Sequence, residues 1–392
     1  MYIEEKRKIQ MKNLVSIIIL VCMLSALVLT GCGSAQTPAA DSQPADAAAP
    51  AETAAAETET PKEPVTLKVG LLGKSVKPVG VLVADAMGYF DEEGVKVEFE
   101  KVSSMNDAYM AVSTGDLDVY LFSSTAAATF ISQGTTTLRV FGGTAAEGSE
   151  IIAAKGTPHI TGVDDMLGKT IACQMPETGQ MVLKNYLLEQ GYTIGAPGEG
   201  ADVTFVYVND GNTAVEGCTK GEYDYCITNS CLGYYAENFG AELVGSVKQF
   251  VETYPCCRQT CSQEAYENKF DALVAFETAT LRGYRYYLEN EEATLDILEA
   301  YAGEDREFLK AQVYGTDTYT PVMRLSLDPD KIACVKFYEA MANLGEITDT
   351  VEVDWNDYVV TDVYGTALKT LAERESDVAL WQELTEYFNT HD

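Results

Sequence analysis

Three cysteines in the second half of the chain, Cys256, Cys257 and Cys261, place three thiols within six residues. Thiolates bind soft metals and act as nucleophiles or redox centres. Zinc sites favour Cys-x-x-Cys pairs with further cysteine or histidine ligands, and this spacing contains no such pair. We therefore predict a strand with small buried thiols, one of which could form a disulfide. A metal or redox site is the alternative.

Histidine, the commonest general base, occurs only at His159 and His391, and neither lies near these cysteines in the sequence. The chain contains no Ser-His-Asp, metal-histidine or P-loop pattern. These observations predict a protein that is not an enzyme and that holds no metal and no cofactor. A secreted enzyme is the alternative.

Polar side chains follow most predicted strands, where a helix is about to begin. In open α/β sheets, ligands bind at the carboxyl ends of strands, next to helix N-termini that favour anions and polar oxygens. Capping or turn formation is the alternative for each residue taken alone. Together these loops predict a ligand site formed by Lys74, Ser75, Lys77, Pro78, Ser123, Ser124, Thr125, Thr144, Glu177, Thr178, Gly179, Gln180, Asn209, Asp210, Thr228, Asn229 and Ser230.

Three cations would make this site locally positive: Lys74, Lys77 and Arg258. A sulfonate or carboxylate ligand would pair with them, and arginine offers two parallel hydrogen bonds to such a group. The alternative is that the lysines are solvated surface residues.

The elements that must position these loops alternate along the chain. Strands are predicted at 65–71, 95–102, 117–122 and 138–141, with helices at 79–87, 106–113 and 123–133. A second series has strands at 169–173, 203–208 and 223–227, with helices at 178–190 and 213–220 and a third ending at 235. This alternation is typical of parallel βαβ units. Amphipathic helices are predicted at 264–288, 291–301, 328–344 and 363–388.

Composition restricts the class of protein. The formal net charge of −33 excludes a general affinity for nucleic acid or anionic lipid. The length suits two domains. Eight cysteines follow residue 32, and their 105 possible pairings cannot be distinguished from sequence. They are either paired or free and buried: Cys173, Cys218, Cys226, Cys231, Cys256, Cys257, Cys261 and Cys334.

An apolar run at 14–29 follows several lysines and an arginine, as in a secretory signal. Its end, Leu-Thr-Gly-Cys32, resembles the bacterial lipoprotein signal, which implies cleavage before Cys32, acylation there and anchoring at the outer face of the cell membrane. We thus expect a signal peptide at 1–31 and a disordered tether at 32–64. An uncleaved membrane anchor is the alternative, and the true start is either Met1 or Met11.

Four strings in order carry a further resemblance: MGYFDEEGVKV at 87–97, AVSTGDLDV at 111–119, QGTTTLRV at 133–140 and VDDMLGKTI at 163–171. They resemble the family of ABC-transporter substrate-binding proteins for nitrate, sulfonates, taurine and the pyrimidine precursors of thiamine. We expect the residues of these strings to have structural roles and not to contact the ligand. Gly88 ends a helix, and Gly94 permits a sharp turn into the next strand.

The resemblance implies an α/β fold of the periplasmic-binding-protein type II kind, with two mostly parallel sheets flanked by helices and a ligand cleft between them. Domain I would comprise 65–154 plus 257–392, and domain II 155–256, with crossings near 153–157 and 254–258. The implied function is capture of a small organic molecule or oxyanion for an ABC permease and its ATPase, by a monomer. A ligand-sensing lipoprotein for a membrane receptor is an alternative.

Overall fold

Two six-stranded sheets organise the residues that the computed structural model describes, 64–229, 231–347 and 352–392. The predictions for the signal peptide, the tether, Cys32 and Ser230 lie outside these residues. The first sheet contains β1 (Val65–Leu72), β2 (Val95–Val102), β3 (Val119–Tyr120), β4 (Leu138–Glu147), β11 (Pro255–Ser262) and β12 (Met323–Leu325). The second contains β5 (Glu150–Ala154), β6 (Thr170–Gln174), β7 (Ile194–Gly195), β8 (Val203–Val208), β9 (Tyr225–Thr228) and β10 (Ala241–Ser246).

The strand orders are β12-β4-β11-β3-β1-β2 and β10-β5-β9-β6-β8-β7. The predicted α/β class is confirmed, but the first sheet is mixed. β1 pairs in parallel with β2 and β3, whereas β11 is antiparallel to β3 and β4 and β12 is antiparallel to β4. In the second sheet, β5 is antiparallel to its two neighbours. A parallel pair needs a crossover such as a helix, and β5 and β11 are reached without one.

The chain passes from the first sheet to the second at Gly148 and Ser149, because β5 already pairs with β9 and β10. The sequence predicts this crossing at 153–157. Residues 150–154 are as apolar as the strand before them, so the local sequence pattern does not show where one sheet ends and the other begins. Only the backbone hydrogen bonds in the structure show to which sheet these residues belong. The return passage lies between the end of β10 and the start of β11 at Pro255.

Fourteen helices are present in the described part of the chain. They are α1 (Val79–Ala86), α2 (Tyr89–Glu92), α3 (Met105–Thr114), α4 (Ser124–Ser132), α5 (Thr178–Glu189), α6 (Gly211–Thr219), α7 (Leu232–Tyr235), α8 (Gln263–Asn268), α9 (Phe270–Glu289), α10 (Glu291–Ala302), α11 (Arg306–Val313), α12 (Lys331–Asn343), α13 (Asp362–Arg374) and α14 (Ala379–His391). The sequence predicts neither α2 nor α11. None of these helices combines the length and apolarity that a membrane span requires.

The string at 87–97 has the predicted scaffold role. Gly88 and Gly94 adopt left-handed backbone angles, with φ of 74° and 78°, and Phe90 is buried. The Phe90 ring stacks on Phe276 of α9 at a centroid distance of 5.2 Å. These residues therefore hold α1, α2 and β2 against the core.

Helices α1 and α9 cross at unusually short range. A Cβ atom built on Gly283 would lie 2.1 Å from the carbonyl oxygen of Gly80, so the crossing requires glycine. Close-packed interiors cannot absorb such an overlap without a backbone shift. The contact fixes α1, and with it the loop that precedes α1.

Candidate functional site

A cavity of about 410 Å³ lies between loops that follow strands of both sheets. The β1–α1 loop and Gly148 form one side, and Cys231 and Leu232 after β9 form the other. Glu304, helix α11, Tyr319 and residues 321–323 complete the wall. The volume falls within the range of about 300–1,000 Å³ that is typical of small-molecule sites.

The wall of this cavity combines charged side chains with a larger apolar part. Lys74, Ser75 and Lys77, three of the predicted site residues, belong to the lining, and exposed Lys74 pairs with Glu304 at 3.3 Å. The other lining side chains are mostly apolar, among them Leu232, Val76, Phe308, Leu309, Pro321, Val322 and Met323.

Lys77 lines the cavity and also lies next to polar side chains at the crossing between the sheets, namely Cys256, Cys257 and Glu177. Its Nζ lies 3.8 Å from Sγ of Cys256 on β11. Burial alone would lower the pKa of Lys77, but the neighbouring Cys256, Cys257 and Glu177 outweigh burial and raise it. Lys77 is therefore a firmly protonated cation at the edge of the cavity.

Glu177 caps the N-terminus of α5. Its two oxygens accept from the Ser149 hydroxyl at 2.6 Å and from the backbone N–H of Gln180 at 2.7 Å. Burial raises the pKa of Glu177 despite these donors. A Cβ on Gly179 would meet Ser149 at 2.2 Å, so Gly179 lets α5 approach the crossing closely. Glu177 thus has a structural role: it holds the N-terminus of α5 against Ser149, where the chain crosses between the sheets.

Two other predicted residues are buried polar groups with unmet hydrogen-bonding capacity. The Gln180 amide oxygen and nitrogen and the Thr228 hydroxyl have no hydrogen-bond partner among the described residues. Leaving a buried polar group unpaired costs about 1–3 kcal/mol. Thr178 is also buried, two residues before Gln180 on the first turn of α5. None of these three residues lines the cavity, so their polar groups belong to the interior of the protein.

The polar residues after β3 and β4 serve local structure. Ser123, at φ 46°, caps α4 by accepting from the N–H of Ala126 at 3.3 Å, and its hydroxyl lies 3.0 Å from that of Thr125. The Ser124 hydroxyl lies 2.7 Å from the buried Tyr338 hydroxyl. Thr144 donates to the carbonyl of Leu121 at 3.1 Å. For these residues the structure shows the capping and packing roles.

The remaining predicted residues are spread along the loops. Pro78 is buried and precedes α1. Asn209 and Asp210 are exposed, and Asp210 caps α6 by accepting from the N–H of Thr213 at 2.8 Å. Asn229 is half-buried after β9. None of these four appears in the cavity lining.

Arg258 is the clearest correction to the predicted site. Its guanidinium is fully buried and donates to Asp330 Oδ2 at 2.8 Å and to the carbonyls of Ala145 and Cys257, each at 3.1 Å. Arg258 does not line the cavity, because its position on β11 directs it into the core beside α12. Two lysines remain in the lining, and because Lys74 pairs with Glu304, which also lines the cavity, Lys77 is the main cation available to a ligand.

All eight cysteines in the described residues are free thiols, and only Cys256 is not buried. The prediction of small buried thiols on a strand is confirmed for Cys257 and Cys261, both on β11. Among the described residues, no cluster of three or more His, Cys, Asp or Glu side chains is arranged to hold a metal ion.

Direct contacts also join the second sheet and α5 to the C-terminal third of the chain. The Tyr319 hydroxyl donates to Glu150 of β5 at 2.5 Å, and Tyr207 of β8 donates to Glu346 at 2.7 Å. Lys184 of α5 pairs with the same Glu346 at 3.3 Å. Sequence patterns do not reveal these bridges, because residues 319 and 346 come from the C-terminal third and only the fold brings them here.

Solved structures share this architecture at low identity. The periplasmic aliphatic sulphonate-binding protein SsuA of Escherichia coli aligns with a TM-score of 0.58 and 13% identity, over 76% of this chain and 92% of that one. The periplasmic nitrate-binding protein NrtA of Synechocystis PCC 6803 aligns with a TM-score of 0.59 and 14% identity, over 81% and 90%. The desulfurization enzyme DSZB aligns at 0.52 and 16%, over 78% and 99%.

These likenesses establish the periplasmic-binding-protein fold, which therefore carries both binding proteins and an enzyme. No curated protein matches the chain by sequence. The profile of the NMT1/THI5-like family matches residues 76–294, more than half of the chain. The chain therefore belongs to the NMT1/THI5-like family.

Proposed function

We propose that this protein is the substrate-binding subunit of an ABC importer. The observation that carries the proposal is the cavity of about 410 Å³ whose wall is shared by the β1–α1 loop, the chain after β9 and α11. Capture between two lobes is selective when the ligand contacts both of them and so favours the closed form. The lobes would be built on the two sheets, with domain I as 65–154 plus 257–392 and domain II as 155–256, adjusted at Glu150 for the position of β5.

The proposed ligand is a small organic molecule with an anionic group. Lys77 supplies a protonated amine to the cavity wall, and Phe308, Leu309 and Met323 supply apolar lining. An alkanesulfonate or a carboxylate with a short apolar body satisfies both kinds of lining. A bare oxyanion such as nitrate would not contact the apolar lining, so it is the second candidate for the ligand class.

The N-terminal pattern supports an extracytoplasmic location. A signal sequence ending in Cys32 would leave an acylated cysteine followed by a polar tether. The acyl group would hold a monomeric binding protein at the outer face of the cell membrane, beside its permease and ATPase. The sulphonate-binding and nitrate-binding neighbours are periplasmic, which agrees with this location.

A thermal-shift screen tests the proposal. Short alkanesulfonates, carboxylates, nitrate and pyrimidines should include at least one compound that stabilises the protein. At one hundred times its Kd, such a ligand adds about 2.7 kcal/mol to the free energy of unfolding. The variant Lys77→Met should bind an anionic hit about tenfold more weakly, while the exposed Lys96→Met should bind it as the parent does. A panel without any stabilising compound, or equal binding by Lys77→Met, would contradict the proposal.

Gln180→Leu should separate stability from binding. Leucine removes two buried atoms that lack hydrogen bonds, so the ligand-free protein should gain about 1 kcal/mol in unfolding free energy. The affinity for the hit from the screen should stay close to that of the parent, because Gln180 does not line the cavity. Chemical denaturation and isothermal calorimetry measure the two quantities. A variant that folds normally but binds the hit about tenfold more weakly would show instead that the Gln180 amide contacts the ligand.

A further inference from the structure

The two adjacent cysteines of β11 have an unusual geometry. Neighbouring side chains of a regular strand point to opposite faces. Here Pro255 pairs with Ala146 and Cys257 pairs with Ala145, so Cys256 is an extra residue in a β-bulge. The bulge brings the two Sγ atoms to 3.7 Å from each other.

The surroundings favour a thiolate on this pair. Lys77 Nζ lies 3.8 Å from Cys256 Sγ, and the backbone N–H of Ser123 donates to Cys257. A hydrogen bond from the Cys256 thiol, joined by the charge of Lys77, lowers the pKa of Cys257 to about 6. The pKa of Cys256 moves upward, because it keeps the shared proton. Lowered pKa and access to solvent are the two conditions for thiol reactivity. The pair meets them together, because Cys257 has the lowered pKa and the adjacent Cys256 is partly exposed.

We propose that Cys256 and Cys257 are a site of reversible covalent modification, at which a hydroperoxide closes the two thiols into a vicinal disulfide. The proposal goes beyond ligand capture and does not depend on it. Its consequence at the cavity is electrostatic: Lys77 loses a thiolate partner, and the site becomes more positive.

The reaction balances with hydrogen peroxide as the oxidant. The Cys257 thiolate attacks one peroxide oxygen, the O–O bond breaks, and Cys257 becomes a sulfenic acid. The departing hydroxide takes the proton that Cys257 lost on ionising and becomes water. Cys256 Sγ then attacks Cys257 Sγ, the S–O bond breaks, and hydroxide leaves with the Cys256 proton as a second water. Two thiols lose two electrons, and one peroxide gains them.

Reversibility follows from the covalent geometry. Cα atoms of neighbouring residues are about 3.8 Å apart, closer than the roughly 4.4–6.8 Å of ordinary disulfides. A strained disulfide is reduced more easily than a structural one. A thiol reductant should therefore restore the dithiol.

Peptide mapping by mass spectrometry tests the site on the purified protein. After peroxide treatment, the peptide that holds Cys256 and Cys257 should lose two hydrogen atoms and resist alkylation, and dithiothreitol should reverse both changes. Cys256→Ser should stop at a sulfenic acid that dimedone traps on Cys257. The matched control is Cys261→Ala on the same strand, where burial raises the thiol pKa, and it should still form the disulfide.

A kinetic comparison tests the role of Lys77 without cysteine variants. Lys77→Met should slow disulfide formation at pH 6 about tenfold, because the thiolate loses its cation. The exposed, remote Lys96→Met should react at the parent rate. Thiols at 256 and 257 that remain alkylatable after peroxide would overturn the proposal. So would a disulfide that maps instead to the buried neighbours Cys218 and Cys226.

Discussion

Replacing Arg258 by methionine is expected to lower the free energy of unfolding by about 3–5 kcal/mol. Arg258 and Asp330 form an ion pair at 2.8 Å in which both side chains are fully buried. Removal of the guanidinium leaves the Asp330 carboxylate in the core with the Tyr387 hydroxyl at 2.6 Å and with the Arg324 guanidinium, at 3.9 Å, as a more distant counter-charge. It also frees the carbonyls of Ala145 and Cys257. A buried carboxylate that has lost its direct ion pair is the source of most of the loss.

Two comparison variants make this prediction specific. Arg285→Met removes an arginine whose pairs with Glu289 and Glu375 are both partly exposed, and it should cost about 1 kcal/mol or less. The double variant Arg258→Met with Asp330→Leu replaces both charges and should recover much of the stability. Urea denaturation gives all three values. Any ligand from the screen should bind Arg258→Met with nearly parental affinity, and a selective loss of binding at unchanged stability would instead support the ligand role that the sequence suggests.

Local periodicity explains how much of the fold can be predicted. The alternation at 95–102 and the helical spacing at 79–87 are properties of a few neighbouring residues, and the structure has β2 and α1 at nearly those bounds. Sheet membership is a property of distant pairing. Residues 150–154 pair with β9 and β10, and no local pattern distinguishes them from β4.

The same distinction between local pattern and distant contact applies to the candidate site. The strand-end rule selects the β1–α1 loop, because Lys74 and Lys77 directly follow a parallel strand, and both lysines line the cavity. It cannot tell whether a polar group turns toward a cavity or a core, and so it treats Arg258 like Lys77. It also omits Phe308 and Tyr319, since the C-terminal third contributes lining residues through tertiary packing alone.

A second large effect concerns Glu277, which lies fully buried on α9. Neither carboxyl oxygen has a hydrogen-bond partner among the described residues. Burial raises the pKa of Glu277 from 4.5 to about 8, and the nearby Gln259 amide offsets this only in part. The folded protein therefore holds a proton on Glu277 at neutral pH that the unfolded chain releases.

Stability should consequently fall as the pH rises from about 4.5 to about 8. In this window the folded state binds more protons than the unfolded state, so the free energy of unfolding has a negative slope against pH. Glu277→Gln removes the titration while keeping the shape of the side chain. The variant should match the parent to within about 1 kcal/mol at pH 5 and exceed it by about 4 kcal/mol at pH 8. Denaturant melts across this range measure the difference.

The difference between variant and parent isolates Glu277 from other groups with raised pKa values. Burial also raises the pKa of Asp328 to about 9. The titration of Asp328 lowers the free energy of unfolding with rising pH in the parent and in Glu277→Gln alike. Subtracting the two curves cancels that contribution. Glu264→Gln, at an exposed position on α8, should follow the parent at every pH. If the curves of Glu277→Gln and the parent stay parallel from pH 5 to pH 8, the Glu277 carboxyl titrates in the fold as it does in water and its burial carries no electrostatic cost.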